Sequence, residues 1–74
     1  GSACPHYDGE ALRRPRYRQL VADGFPAGVA ADDGVGLHFV GTELHDVVSC
    51  RPGAAAYRVG PEGEQRLEAR LLLP

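Results

Sequence analysis

Hydrophobic and polar positions along the chain follow two different periods. Tyr17, Leu20 and Val21 recur at i, i+3 and i+4, the spacing of one helical face, with Arg14, Arg16 and Arg18 mostly on the others. Pro15 suits the first turn of such a helix, where its missing N–H costs nothing and its fixed φ is already helical. Gly24 suits the C-terminal cap, and Pro26 prevents continuation. The pattern predicts a helix over residues 11–23, preceded by a loop from residue 3 to the helix entry.

Beyond Gly24 the period shortens to two. Ala27–Ala31 is a short apolar run between Gly24-Phe25-Pro26 and Asp32-Asp33-Gly34, and its length and flanks favour a buried strand. Val35, Leu37 and Phe39 alternate with Gly36, His38 and Val40. Gly41-Thr42 then reads as a tight hairpin turn, and residues 44–49 pair back. Arg51-Pro52-Gly53 marks another turn, residues 55–59 another strand, and Gly60-Pro61-Glu62-Gly63 a further turn. Last, Leu67, Ala69, Leu71 and Leu73 alternate with Arg66, Glu68, Arg70 and Leu72, a half-buried strand with a charged outer face.

The predicted fold class is α+β: one N-terminal helix followed by a mostly antiparallel set of about five short strands. Gly1-Ser2 reads as a tag-cleavage scar, so residues 3–74 are expected to form a single small domain. At this size about 60% of the unfolded surface is buried, and the domain is marginal without a staple or a partner. One helix covers one face of a sheet, whereas the run Ala27–Ala31 wants cover on both. The second cover is expected from another subunit, making a homo-oligomer, or from the missing N-terminal part of a larger fold.

Composition narrows the function classes. The 74 residues carry a net charge of −2, with eight arginines and no lysine. That balance makes no general electrostatic case for nucleic acid or a membrane surface. Nothing approaches the ~18 apolar residues of a membrane span. Two cysteines, Cys4 and Cys50, fit neither a disulfide scaffold nor a zinc site, and they read as reduced thiols of a cytoplasmic protein. No metal ligands or cofactor are expected.

The chemistry gathers near the N-terminus. His6 follows a proline in a polar loop ahead of the helix, and its ordinary pKa near 6.5 suits general-base work. Asp8 and Glu10 either orient its ring or charge the helix N-terminus. Asp32-Asp33-Gly34 is a turn signature first and a carboxylate partner for His6 second. The arginines at 13, 14, 16 and 18 read either as a binder of acidic groups or as a solvated helix face. His38 and His45 read as exposed cross-strand residues. Ser49 lies in a Val-Val-Ser-Cys strand rather than on a glycine-flanked elbow, which makes it a poor nucleophile.

Pro5-His6-Tyr7-Asp8, Arg13-Arg14-Pro15, the helix reaching Leu20-Val21, and Gly24-Phe25-Pro26-Ala27-Gly28 occur here in order. Together with Asp32-Asp33-Gly34-Val35-Gly36-Leu37-His38-Phe39 and residues 48–59, they resemble the C-terminal part of the dipeptidase E (alpha-aspartyl dipeptidase) and cyanophycinase family of serine peptidases. The resemblance implies the tail of an α/β, class I glutamine amidotransferase-like fold. It implies His6 as the catalytic base of a serine on a glycine-flanked elbow. The third triad member is implied either upstream of this chain or at the Asp32-Asp33-Gly34 segment, where Asp33 is put forward. Arg13 and Arg14 are put forward as substrate-binding residues, and the implied substrate is a short peptide, with Asp-containing peptides foremost. The nucleophile elbow itself is absent, so the chain is expected to contribute the histidine without being a competent peptidase. The alternative is a non-catalytic interaction or dimerisation module derived from that fold.

Overall fold

A computed structural model of the chain describes residues 2–41 and 43–72. The elements run β1 (Ser2–Cys4), α1 (Arg13–Ala22), β2 (Gly28–Ala31), β3 (Val35–Val40), β4 (Glu43–Ser49), β5 (Ala56–Gly60), β6 (Gly63–Leu67) and β7 (Arg70–Leu71). One sheet has the order β1-β2-β5-β6, the other β3-β4-β7. The α+β class is therefore as expected. The pairing is mostly antiparallel, as expected, in three of five strand pairs. Each sheet is nevertheless mixed, because β1 runs parallel to β2 and β7 parallel to β4, and the described residues form seven strands rather than about five.

Helix α1 lies inside the predicted span, and its C-terminus shows why it stops. Gly24 takes φ +109°, its N–H bonds the Val21 carbonyl at 3.2 Å, and the Phe25 N–H bonds that of Leu20 at 2.9 Å. These two bonds make a Schellman cap. Only Tyr17 and Val21 are buried on the helix, while Leu20, expected on the same face, is 51% exposed. The stripe facing the sheet is narrow because Arg14, expected on the outside, fills the next position of that face.

Residues 2–4 are not loop. Ser2, Ala3 and Cys4 pair with Gly28, Val29 and Ala30. The close approach depends on Gly28, since a β-carbon there would overlap the Ser2 carbonyl. Ser2, set aside in the sequence reading, is thus part of the sheet.

The predicted final strand breaks in two. β6 pairs with β5 as far as Leu67 opposite Ala56, where β5 begins and the ladder runs out. Arg70 and Leu71 then join the other sheet beside Val48 and Ser49, and Arg70 bonds Asp46 at 2.7 Å. Of the Gly41-Thr42 turn, Gly41 takes φ +61°, and Thr42 lies outside the described residues, as does Leu73.

The first sheet is the middle layer. On one face, Ala30, Tyr57 and Val59 pack with Tyr17 and Val21 of α1. On the other, Val29 and Ala56 pack with Val47, and Val35, Leu37 and Leu44 close around them. The second cover that Ala27–Ala31 required is supplied by the chain's own β3–β4 hairpin. Among the described residues, no helix is long and apolar enough to cross a membrane.

Candidate active site

Parallel pairing brings the C-terminal ends of β1 and β2 to the same edge of the sheet, the place where open α/β sheets hold ligands. His6 follows β1 by two residues and Asp33 follows β2 by two. The His6 loop is pinned there: the Tyr7 N–H bonds the Ala31 carbonyl at 2.9 Å, and the Gly9 N–H bonds the His6 carbonyl at 3.1 Å. His6 takes φ +55°, a left-handed conformation that costs a non-glycine residue roughly 1–3 kcal/mol and persists only when its surroundings enforce it. The turn at 32–35 is equally determined. The Val35 N–H bonds the Asp32 carbonyl at 3.1 Å, and Gly34 at φ +80° occupies the position where a type II turn requires positive φ. Asp32 is buried and accepts the Ala55 N–H on Oδ2 at 3.0 Å, so it serves the turn.

The result is a direct contact between His6 Nδ1 and Asp33 Oδ1. A carboxylate only accepts, so Nδ1 carries the proton and Nε2 keeps the free lone pair of the neutral ring. Both side chains are open, at 65% and 43% exposure, so the ring is reachable. Chemically the arrangement is one that can place a base against an orienting acid.

A second layer holds Asp33. Its N–H donates to Asp8 Oδ1 at 2.7 Å, and its carbonyl accepts Arg51 Nε at 2.7 Å. Arg51 Nη2 also reaches Asp8 Oδ2 at 2.6 Å. The Asp33 N–H bond, foremost, and Arg51 hold the Asp8 carboxyl below its ordinary value. Asp8 therefore neither orients the imidazole itself nor charges the helix. Glu10 pairs with Arg13 at 2.9 Å.

Behind the loop, Tyr7 is 1% exposed, and its hydroxyl donates to Glu64 Oε2 at 2.7 Å. Arg14 pairs with the same carboxylate and stacks over Tyr57 and Tyr7, at 4.8 and 5.4 Å from the ring centroids. Burial, then the Glu64 contact, pushes the Tyr7 phenol well up. On Glu64, burial acts upward most strongly, but Arg14 and Tyr7 together hold the carboxyl below its ordinary value. Arg14 is thus engaged within the fold. Arg13 lies nearer the loop, with Nη1 on the Pro5 carbonyl at 3.3 Å.

The remaining candidates stand apart from a site. His38 and His45 are exposed, with ring centroids 6.4 Å apart, and among the described residues no group of three or more His, Cys, Asp or Glu is gathered to hold a metal. Ser49 is buried and bonded to the backbone of Arg51. Cys4 is buried and Cys50 exposed, both free thiols. Sequence reasoning missed Arg51 and Gly9, since both carry turn signals that conceal a tertiary role.

No family model and no solved structure matches the chain. Over 60 residues it is 58% identical to the uncharacterized peptidase YgaJ of Bacillus subtilis (strain 168), a match covering 80% of this chain and 26% of that protein. The chain spans about a quarter of the length of that curated relative. The peptidase likeness read from the residues is thereby found in a curated protein, and the chain is similar to one stretch of a peptidase.

Proposed function

We propose that the chain supplies the base of a serine peptidase active site whose nucleophile lies outside it. The observation that carries this reading is the His6–Asp33 contact at the ends of two parallel strands, with Nε2 left free. His6 takes the serine's proton and returns it to the leaving amine, and Asp33 keeps the ring in the tautomer that can do so. Short peptides are the substrates, as in the dipeptidase E-like family, with an acidic residue met by Arg13, the arginine beside the His6 loop. The nucleophile-bearing part of the fold extends the sheet from the free edge of β1.

The test is a chimera in which this chain replaces the matched stretch of the Bacillus subtilis relative, assayed on a panel of dipeptides with and without N-terminal aspartate. The chimera hydrolyses a member of the panel, and His6→Ala lowers kcat by about 10⁴-fold or more. Retained turnover in His6→Ala would overturn the reading, as would a dead chimera beside an active relative.

A second reading, an interaction module, is supported by the flanks of β1. An apolar hollow of about 310 Å³ (Ala3, Val29, Leu37) and a mixed one of about 240 Å³ (Leu12 and Leu20 with Glu10, Arg13 and Arg16) lie beside it, and Leu12 is 61% exposed. A second copy pairing edge to edge would cover both hollows. Light scattering on the purified chain tests this, since a monomer at high concentration excludes it.

A further inference from the structure

We infer that the Arg51–Asp8 ion pair is a latch that sets Asp33 against His6, which makes Arg51 a positioning residue for the proposed base. The inference rests on the His6–Asp33 reading and deepens it. Asp33 has three ways to bond, and two are taken by the latch. Its N–H is held by one oxygen of Asp8 at 2.7 Å and its carbonyl by Arg51 Nε at 2.7 Å. The other oxygen of Asp8 holds Arg51 Nη2 at 2.6 Å, which closes the ring of contacts. With both backbone groups fixed, the starting point of the Asp33 side chain is set, and in the rotamer it takes the carboxylate meets His6.

The latch is itself anchored. Arg51 stands in the turn after β4, where the Ser49 hydroxyl accepts its N–H at 3.0 Å and donates to its carbonyl at 2.8 Å. The Cys50 N–H bonds the Gly34 carbonyl at 3.0 Å, tying the same turn to the residue after Asp33. Three segments far apart in sequence, around residues 8, 33 and 51, therefore meet at one carboxylate and one guanidinium. Arginine suits the place because its planar fork serves two acceptors at fixed angles, which an ammonium does not.

The imidazole ¹⁵N resonances of His6 in the 74-residue chain provide the test, recorded at a pH where the ring is neutral. In the wild type the Nδ1–H tautomer dominates, and Asp33→Asn reverts the ring to the Nε2–H form of an unconstrained histidine side chain. Arg51→Ala lowers the ratio of Nδ1–H to Nε2–H about five-fold, as expected for one ordinary hydrogen bond. Asp8→Asn, which keeps the shape and removes the charge pair, shifts the ratio in the same direction. The rings of His38 and His45 stay unchanged in every variant, which separates loss of the latch from loss of the fold. If Asp33→Asn shifts His6 while Arg51→Ala and Asp8→Asn leave it as in the wild type, the latch is overturned and the base remains. If Asp33→Asn itself changes nothing, the His6–Asp33 reading fails.

Discussion

Gly9 lies so close beneath Asp33 that a β-carbon there would overlap the carboxylate oxygen Oδ2. The obstacle is the free end of a side chain, which can swing away, rather than backbone. Gly9→Ala is therefore expected to turn the Asp33 carboxylate off His6 while changing stability by less than about 1 kcal/mol, at the low end of the cost of overpacking. Urea unfolding and the His6 ring ¹⁵N signals check the two halves separately. An unchanged His6 tautomer in a stably folded variant would contradict the placement of the carboxylate.

The Tyr7–Glu64–Arg14 group makes stability depend on pH at both ends. The folded state holds the Glu64 carboxyl below its ordinary value of 4.5, so the unfolded chain binds more protons in acid. The associated stability is present above that value and is lost as pH falls through the folded pKa. Glu64→Gln lessens this acid limb and costs about 1–3 kcal/mol at neutral pH, because Arg14 loses its charged partner. The Tyr7 phenol is shifted the other way, by burial first and by Glu64 second. Its stability is complete below the ordinary value of 10.0 and is lost as pH rises beyond it. Tyr7→Phe lessens the alkaline decline, to which the raised Cys4 thiol also contributes, at a cost of about 1 kcal/mol at neutral pH. Chemical denaturation between pH 3 and about 11 reads both limbs, a range set by the ordinary carboxylate and phenol values. Asp8, also held below its ordinary value, keeps part of the acid limb, and an acid limb that Glu64→Gln leaves undiminished would refute the assignment.

Local elements were legible because local chemistry determines them. Pro15 and Gly24 bracket α1, and the alternation Val35, Leu37, Phe39 places β3. The β1–β2 pairing was not legible. It joins Ser2 to Gly28 through a close backbone approach that no periodicity records, and β1 has only three residues. The last strand was misjudged for a similar reason. Leu67, Ala69 and Leu71 alternate without interruption, yet the end of β5 at Ala56 breaks the ladder and sends Arg70 to a different sheet. Of the site, His6 and Asp33 were legible as residue types in suitable loops. Arg51 was not, because Arg-Pro-Gly already reads as a complete turn and its two acceptors lie 18 and 43 positions away.

The two cysteines differ sharply in environment. Cys4 is 8% exposed, and burial pushes its thiol up, against the opposing pull of Arg13. Cys50 is exposed. Thiolate, not thiol, reacts with alkylating agents. Iodoacetamide at neutral pH is expected to label Cys50 in the native chain, with Cys4 labelled only on unfolding. Mass spectrometry of the native Cys50→Ser variant should then show no rapid adduct. Equal labelling rates at the two positions would mean that Cys4 is not enclosed between β1 and α1.

Gly28 and Gly60 offer a matched pair for testing whether β1 belongs to the sheet. At Gly28 a β-carbon would overlap the backbone carbonyl of Ser2, which cannot swing aside as a carboxylate does. At Gly60 nothing lies within 4 Å of the added carbon. Gly28→Ala must therefore part β1 from β2, at a cost of about 1–3 kcal/mol, whereas Gly60→Ala stays within about 0.5 kcal/mol of the wild type. The separation also reaches the site, because the strand that delivers His6 is released while β2 still delivers Asp33. Faster amide exchange across residues 2–4 and a weakened His6 contact should appear together in Gly28→Ala and be absent in Gly60→Ala. Were Gly28→Ala to match Gly60→Ala in stability and exchange, β1 would not pair with β2 in solution. His6 would then owe its position to the Tyr7–Ala31 bond, the buried Tyr7 side chain and the Arg13–Pro5 contact.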